Sequence, residues 1–256
     1  MKVVILAGGY GTRISEESHT RPKPMIEIGG MPILWHIMKH YSHYGHNDFI
    51  ICAGYKQAMI KEWFDNYTLN TSDVLFDFSS GEKKVIGKSR TENWRVSIID
   101  TGLDTKTGGR LLKVKDYIGD DTFLLTYGDG VGNVDINEAI KFHKFQGKAV
   151  TVTAVRPEGR FGILELDGDE IKSFREKKRE DASWINGGFM VVEPEALDYI
   201  ENPDTMFEAE PLMRIAEEGE LCCYRHNGFW QCMDTMRDKE RLEAFCKSDK
   251  IPWKVW

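Results

Sequence analysis

Leu6-Ala7-Gly8-Gly9-Tyr10-Gly11-Thr12-Arg13 follows an apolar run and combines closely spaced glycines with an arginine. Glycine lets the backbone approach a ligand closely and adopt conformations other residues resist. Successive amides in such a loop can point at phosphate oxygens, and the guanidinium of Arg13 matches phosphate geometry. A few residues on, Arg21-Pro22-Lys23-Pro24-Met25 places a lysine between two prolines, which stiffen the chain on either side of it. A stiffly held ammonium beside a phosphate cradle can clamp a transferring phosphoryl group. The loop is not a Walker A motif, because no Gly-Lys-Ser/Thr follows. It is not the dinucleotide-binding Gly-x-Gly-x-x-Gly fingerprint either. Ile14 stands at the third glycine position when counted from Gly9, and Arg13 when counted from Gly8. A dehydrogenase is thereby disfavoured. The second candidate is Phe123-Leu124-Leu125-Thr126-Tyr127-Gly128-Asp129-Gly130, an apolar run ending in an aspartate flanked by glycines. Such a carboxylate suits Mg2+, which takes a few carboxylates together with phosphates and waters. A plain turn aspartate is the equally weighted alternative for this segment alone.

Groups of this kind need a rigid frame. Val3 to Leu6, Phe49 to Cys52, Val96 to Ile99, Phe123 to Thr126 and Ala149 to Val155 read as strands, several of them apolar on both faces. Helices are predicted over Pro32 to Tyr44, Gln57 to Asn66, Asp135 to Gln146 and Glu208 to Glu218, the last ended by Gly219. The alternation predicts an α/β fold: a Rossmann-like, doubly wound, mostly parallel (mixed) sheet flanked by helices, with ligands at the carboxyl ends of the strands. After about residue 156 the pattern turns β-rich. Phe161 to Phe174 reads as a hairpin and Ala182 to Val192 as a further strand region. No Pro/Ser-rich linker intervenes, so one domain is expected over 1–256, in two halves, 1–130 and 131–256 with the C-terminal tail, the second covering the first.

Composition narrows the function classes. The formal net charge of -7 disfavours nonspecific nucleic-acid binding. No apolar stretch is long enough to span a bilayer, and the first apolar run is too short for a secretory signal, so a cytoplasmic protein is expected. The five cysteines include no Cys-x-x-Cys pair and suggest neither a disulfide framework nor a zinc site. His36 and His40 stand four apart on a predicted helix but lack an evident third ligand, so zinc is disfavoured. The aromatic end, Ile251-Pro252-Trp253-Lys254-Val255-Trp256, is either a docking tail or packed on its own domain.

Residues 6–13 with Arg21 to Met25 resemble the nucleotidyltransferase loop of sugar-nucleotide pyrophosphorylases, and the resemblance continues in register across nearly the whole chain. Pro32 to Lys39, Asp48 to Lys56 and Phe229 to Thr235 are most similar to cytidylyl-transferring members. The resemblance implies CTP and glucose 1-phosphate as substrates, Mg2+ as cofactor and a homo-oligomer. Thymidylyl or uridylyl transfer on the same fold is the nearer alternative. An inactive nucleotide-sugar-binding regulator is the remoter one, since Lys23, Asp129 and Asp234 are all present.

By the same resemblance Leu6, Ala7, Gly8, Gly9, Tyr10, Gly11, Thr12, Arg13, Lys23, Thr105, Arg110 and Gly128 would bind the nucleotide, with Arg13, Lys23 and Asp129 catalytic. Asp129 and Asp234 would hold the metal. Gly162, Glu176, Lys177, Asn186, Gly187 and Trp230 would bind the sugar phosphate. Two positions depart from the family pattern: Lys178 follows Lys177 where proline is usual, and Cys232 replaces another proline.

Overall fold

The computed structural model describes the chain except residues 88–90, 158–162, 168–169, 176–182 and 249. Its frame is an eight-stranded sheet. The strands are β1 (Lys2–Leu6), β2 (Asp48–Ala53), β3 (Arg95–Asp100), β4 (Phe123–Tyr127), β5 (Val150–Val155), β6 (Ile185–Asn186), β7 (Met190–Val192) and β8 (Leu221–His226). They lie in the order β6-β5-β7-β4-β1-β2-β3, with β8 also paired to β5. β4, β1, β2 and β3 run parallel, β7 is antiparallel to both β4 and β5, and β5 and β8 are parallel. The sheet is thus mixed, as expected.

β1 shows why the middle strands form. Val3 and Ile5 pack into one apolar cluster, Val4 and Leu6 into another on the opposite face, and Val3, Val4 and Ile5 are fully buried. Strands covered on both sides carry continuous apolar runs rather than alternation. Covering them are the helices α1 (Ile33–His43), α2 (Gln57–Thr71), α3 (Thr107–Ile118), α4 (Ile136–Gln146), α5 (Glu210–Glu217) and α6 (Met236–Cys246).

Two of these helices were not among the predicted ones. α3 buries Leu111, Val114 and Ile118 on one face but begins with Thr107-Gly108-Gly109. The glycines are there for packing, since a Cβ on Gly109 would meet the carbonyl oxygen of Pro203 at 2.1 Å and one on Gly108 that of Thr205 at 2.7 Å. α6 is polar, but its start is marked by a capping box in which Thr235 accepts from the Asp238 amide and Asp238 accepts from that of Thr235. The hairpin of Asp73–Asp77 with Glu82–Ile86 is a further element the pattern did not suggest. The expected second-half hairpin is present as Ile163–Asp167 paired antiparallel with Glu170–Arg175, the register shifting between Glu165 and Leu166.

The aromatic tail packs on its own domain. Trp253 is 1% exposed, stacks on Phe229 at 5.7 Å and donates from Nε1 to His36 Nδ1 at 3.3 Å. Trp256 meets Trp35 edge-on. His36 and His40 do not converge on a metal. Their Nε2 atoms bond the carbonyls of Ile28 and Val134, each at 2.8 Å. All five cysteines are free.

Burial lowers the pKa of both His36 and His40 to about 4, and the backbone hydrogen bonds only partly offset it. A histidine whose folded pKa lies below its unfolded one stabilises the fold above the unfolded value and loses that contribution as pH falls toward the folded one. Stability measured by chemical denaturation is therefore expected to decline as pH is lowered from about 6.5 to 4. The decline should be shallower in His36→Gln, which keeps a side-chain donor but cannot titrate. An unchanged slope would remove His36 from the account.

Candidate active site

The end of β1 and the end of β4 lie side by side, and both loops leave the sheet on the same edge. The Gly128 amide donates to the Leu6 carbonyl at 3.0 Å, which sets Asp129 beside the glycine loop. Gly11 takes φ 68°, in the left-handed region, and a Cβ there would also press on Lys23 Cβ at 3.2 Å. Lys23 opens a single helical turn, Lys23–Met25, closed by the Met25 amide on the Pro22 carbonyl at 2.8 Å. The stiff segment read from the prolines is thus a tight turn that aims one ammonium inward.

The far half of the chain arrives through a short ladder. Gly130–Gly132 pairs antiparallel with Trp230–Cys232, Cys232 opposite Gly130, and the Met233 amide donates to the Asp129 carbonyl at 2.8 Å. Asp129 and Asp234 therefore flank the same end of one ladder. Lys23 Nζ donates to Asp129 Oδ2 and to Asp234 Oδ1, both at 2.6 Å, and Arg13 Nη1 donates to Asp234 Oδ2 at 2.8 Å. Lys23 is 8% exposed. Its burial opposes the charge, yet the two carboxylates outweigh burial and hold the ammonium above its ordinary pKa. Burial would raise Asp234, but Lys23 and Arg13 keep its carboxyl below the usual range. Burial, followed by Asp234 and Asp129, pushes the Cys232 thiol up to about 12, so it stands in this site as a neutral donor to Asp234 at 3.6 Å.

Beside this cluster is a cavity of about 400 Å³ lined by Leu6 to Arg13, Lys23, Thr105, Arg110, Gly128 and Asp129. Every residue expected to bind nucleotide thus borders one space. Tyr10 closes part of its rim, donating to Asp104 Oδ1 at 2.6 Å and facing Tyr55 at 5.3 Å. The expected sugar-side residues Asn186, Gly187 and Trp230 also gather. Trp230 Nε1 donates to the Gly187 carbonyl at 2.8 Å, and Asn186 Nδ2 to the Tyr127 hydroxyl at 3.3 Å. Gly162, Glu176 and Lys177 lie outside the described residues.

Tyr127 and Glu208 did not stand out in the sequence. The Tyr127 hydroxyl donates to Glu208 Oε1 at 2.8 Å while Thr107 Oγ1 donates to Glu208 Oε2. Burial and the Glu208 carboxylate raise the Tyr127 pKa, so the phenol stays protonated and keeps donating. Tyr127 had a signal, its place just before Gly128-Asp129; Glu208, in an acidic stretch, had none.

The Lys23 ammonium, the Arg13 guanidinium and the amide-rich loop can bind and neutralise a polyphosphate. Asp129 and Asp234 fit a divalent cation. Among the described residues no group of three or more His, Cys, Asp or Glu forms a metal cluster. Mg2+ needs no such cluster when phosphates and waters supply the other ligands.

Tyr127→Phe removes the donor to Glu208 and the acceptor of Asn186. The variant should lose about 1–2 kcal/mol of stability in chemical denaturation, the range for a partly buried hydrogen-bonded group. No measurable loss would make the relay incidental.

A model of the nucleotidyl transferase family matches residues 2–235. A glucose-1-phosphate cytidylyltransferase of Salmonella typhi is 54% identical over 257 residues, 100% of both chains. The mannose-1-phosphate guanylyltransferase catalytic subunit beta of Xenopus tropicalis is 28% identical over 253 residues, 96% of this chain and 64% of that protein. Among solved structures, HddC from Yersinia pseudotuberculosis superposes with a TM-score of 0.70 at 23% identity, over 95% of this chain and 99% of that one, which bears on the fold. With the loop, the paired carboxylates and the cavity built on that fold, the chain belongs to the nucleotidyl transferase family.

Proposed function

We propose that this protein transfers a cytidylyl group from CTP to α-D-glucose 1-phosphate, giving CDP-glucose and pyrophosphate. The observation that carries the reaction class is the junction of Lys23, Arg13, Asp129 and Asp234, the first three of which line the glycine-loop cavity. The choice of cytosine and glucose rests on the full-length likeness to the Salmonella typhi cytidylyltransferase.

A phosphate oxygen of the sugar phosphate attacks the α-phosphorus in line, a P–O bond forms there, and the bond to the β-phosphate oxygen breaks. The electron pair leaves with pyrophosphate. No protein nucleophile is needed, so the work of the residues is positioning and charge neutralisation. Amides of Leu6 to Gly11 hold base and ribose, Lys23 faces the α-phosphate, and Arg13 offsets charge building on the departing pyrophosphate. Asn186, Gly187 and Trp230 border the sugar, and Lys177 is its phosphate's counter-charge. Asp129 and Asp234 would hold Mg2+, which supplies charge neutralisation across the phosphates when bound. The two halves, 1–130 and 131–256, divide nucleotide from sugar.

A cytosolic protein that self-associates completes this reading. No helix among the described residues is long and apolar enough to cross a membrane. The hairpin around Phe78, which is 93% exposed, carries further exposed Leu75, Phe76 and Ile86 and favours a partner copy.

Pyrophosphate release with glucose 1-phosphate, Mg2+ and each of CTP, dTTP, UTP, ATP and GTP should be fastest with CTP. Preference for another triphosphate would keep the reaction and overturn the base; no release with any would favour an inactive regulator.

Lys23→Met should lose essentially all turnover. Without metal it should also lose about 2 kcal/mol of stability, because two half-buried carboxylates are left facing each other. Mg2+ should then raise its melting temperature more than that of the unaltered protein. A folded Lys23→Met protein with normal rates would sink the assignment.

A further inference from the structure

Asn186, the last residue of β6, is exposed, yet both ends of its carboxamide are held. Oδ1 accepts from the Gly188 amide at 2.9 Å, an Asx turn across Gly187, and Nδ2 donates to the Tyr127 hydroxyl at 3.3 Å. The turn is pinned from its other side as well. The Gly187 amide donates to the Thr153 carbonyl at 2.9 Å, and Gly188 and Phe189 take left-handed φ values of 74° and 48°. A Cβ on Gly188 would press on the Tyr127 ring at 3.0 Å. Tyr127, which ends β4, thus meets this turn with both its ring and its hydroxyl.

Which way the carboxamide faces is decided two bonds away. A tyrosine hydroxyl has one proton. That proton goes to Glu208 Oε1 at 2.8 Å, while Glu208 Oε2 accepts from Thr107 Oγ1, which itself accepts from the Phe207 amide at 2.9 Å. A carboxylate has no proton to return, so the Tyr127 oxygen meets Asn186 with lone pairs only and takes the Nδ2 end. Were the phenol proton free to swing to Asn186, the carboxamide could turn over. Nδ2 would then face the Gly188 N–H, donor against donor, and the Asx turn would lose its bond.

We propose that Glu208 is a positioning residue for the sugar phosphate, fixing the Asn186 carboxamide through Tyr127 so that one N–H and one oxygen lone pair are left for sugar hydroxyls. A sugar hydroxyl both gives and takes a hydrogen bond, so a donor beside an acceptor in fixed order can recognise two neighbouring ones. Glu208 acts at one remove, since its own bonds are to Tyr127 and Thr107. It stands just before α5, Tyr127 at the end of β4 and Asn186 at the end of β6, so the relay joins three separate parts of the chain. The assignment rests on the sugar reading of Asn186.

The test is a double-mutant cycle in steady-state kinetics, with Asn186→Ala, Tyr127→Phe and Glu208→Ala made singly and the latter two also combined with Asn186→Ala. Each single variant should raise the KM for glucose 1-phosphate about fivefold or more, with kcat and the KM for CTP within about twofold. In the Asn186→Ala background neither of the other changes should raise that KM further. A bond that served stability alone would not divide the two substrates in this way. A folded Glu208→Ala protein with an unchanged KM for glucose 1-phosphate would overturn the proposal. So would effects that multiply on Asn186→Ala, since Tyr127 or Glu208 would then act on the sugar without Asn186. Should Glu208→Ala not fold, Tyr127→Phe decides in the same cycle: an effect that persists on Asn186→Ala counts against the assignment. A normal KM for glucose 1-phosphate in Asn186→Ala itself would instead reject the sugar reading of Asn186, and the assignment with it.

Discussion

Lys23 joins parts of the chain that only the complete fold brings together. Its ammonium touches Asp129, 106 residues away, and Asp234, 211 residues away. Buried as it is, that ammonium would be costly without both carboxylates, and the carboxylates without it. Satisfying one charge therefore requires the parallel core, the turn between prolines and the ladder from the far half to be present together. The electrostatics that support this corner of the molecule are the electrostatics proposed for handling phosphates.

Two kinds of positive charge serve the cavity. Lys23 and Arg13 line it and are paired with carboxylates. Arg110 also lines it, its guanidinium bound to the carbonyls of Gly8 and Leu103 rather than to a carboxylate. A protein of net charge -7 can thus present a local positive surface to a polyphosphate.

Much of this was legible in the residues. The central strands are apolar on both faces, which two-sided burial requires, and all the predicted ones form. The glycine loop, Lys23 and Asp129 were conspicuous because their types and spacing suit phosphate chemistry. Asp234 was not, since no glycine flanks it and its neighbours Trp230 to Met236 suggest no phosphate chemistry; family resemblance alone named it, and the ladder of Gly130–Gly132 with Trp230–Cys232 explains its place. α3 was hidden by Gly108 and Gly109, poor helix formers that are there because Pro203 and Thr205 pass so close. Arg110 was marked for contact with nucleotide, and its carbonyl partners could not be foreseen, because nothing local says which way a loop carbonyl turns.

The ladder closing on Asp234 also bears on synthesis. A nascent chain that has just delivered Asp129 already has β1 to β4 and the glycine loop, but lacks one of the two carboxylates that face Lys23. The ammonium then has a single anionic partner, and the bond of Trp230 Nε1 to the Gly187 carbonyl has not formed. The charge balance at Lys23 is therefore completed late in synthesis, only once the segment carrying Asp234 has been added and has paired with Gly130–Gly132.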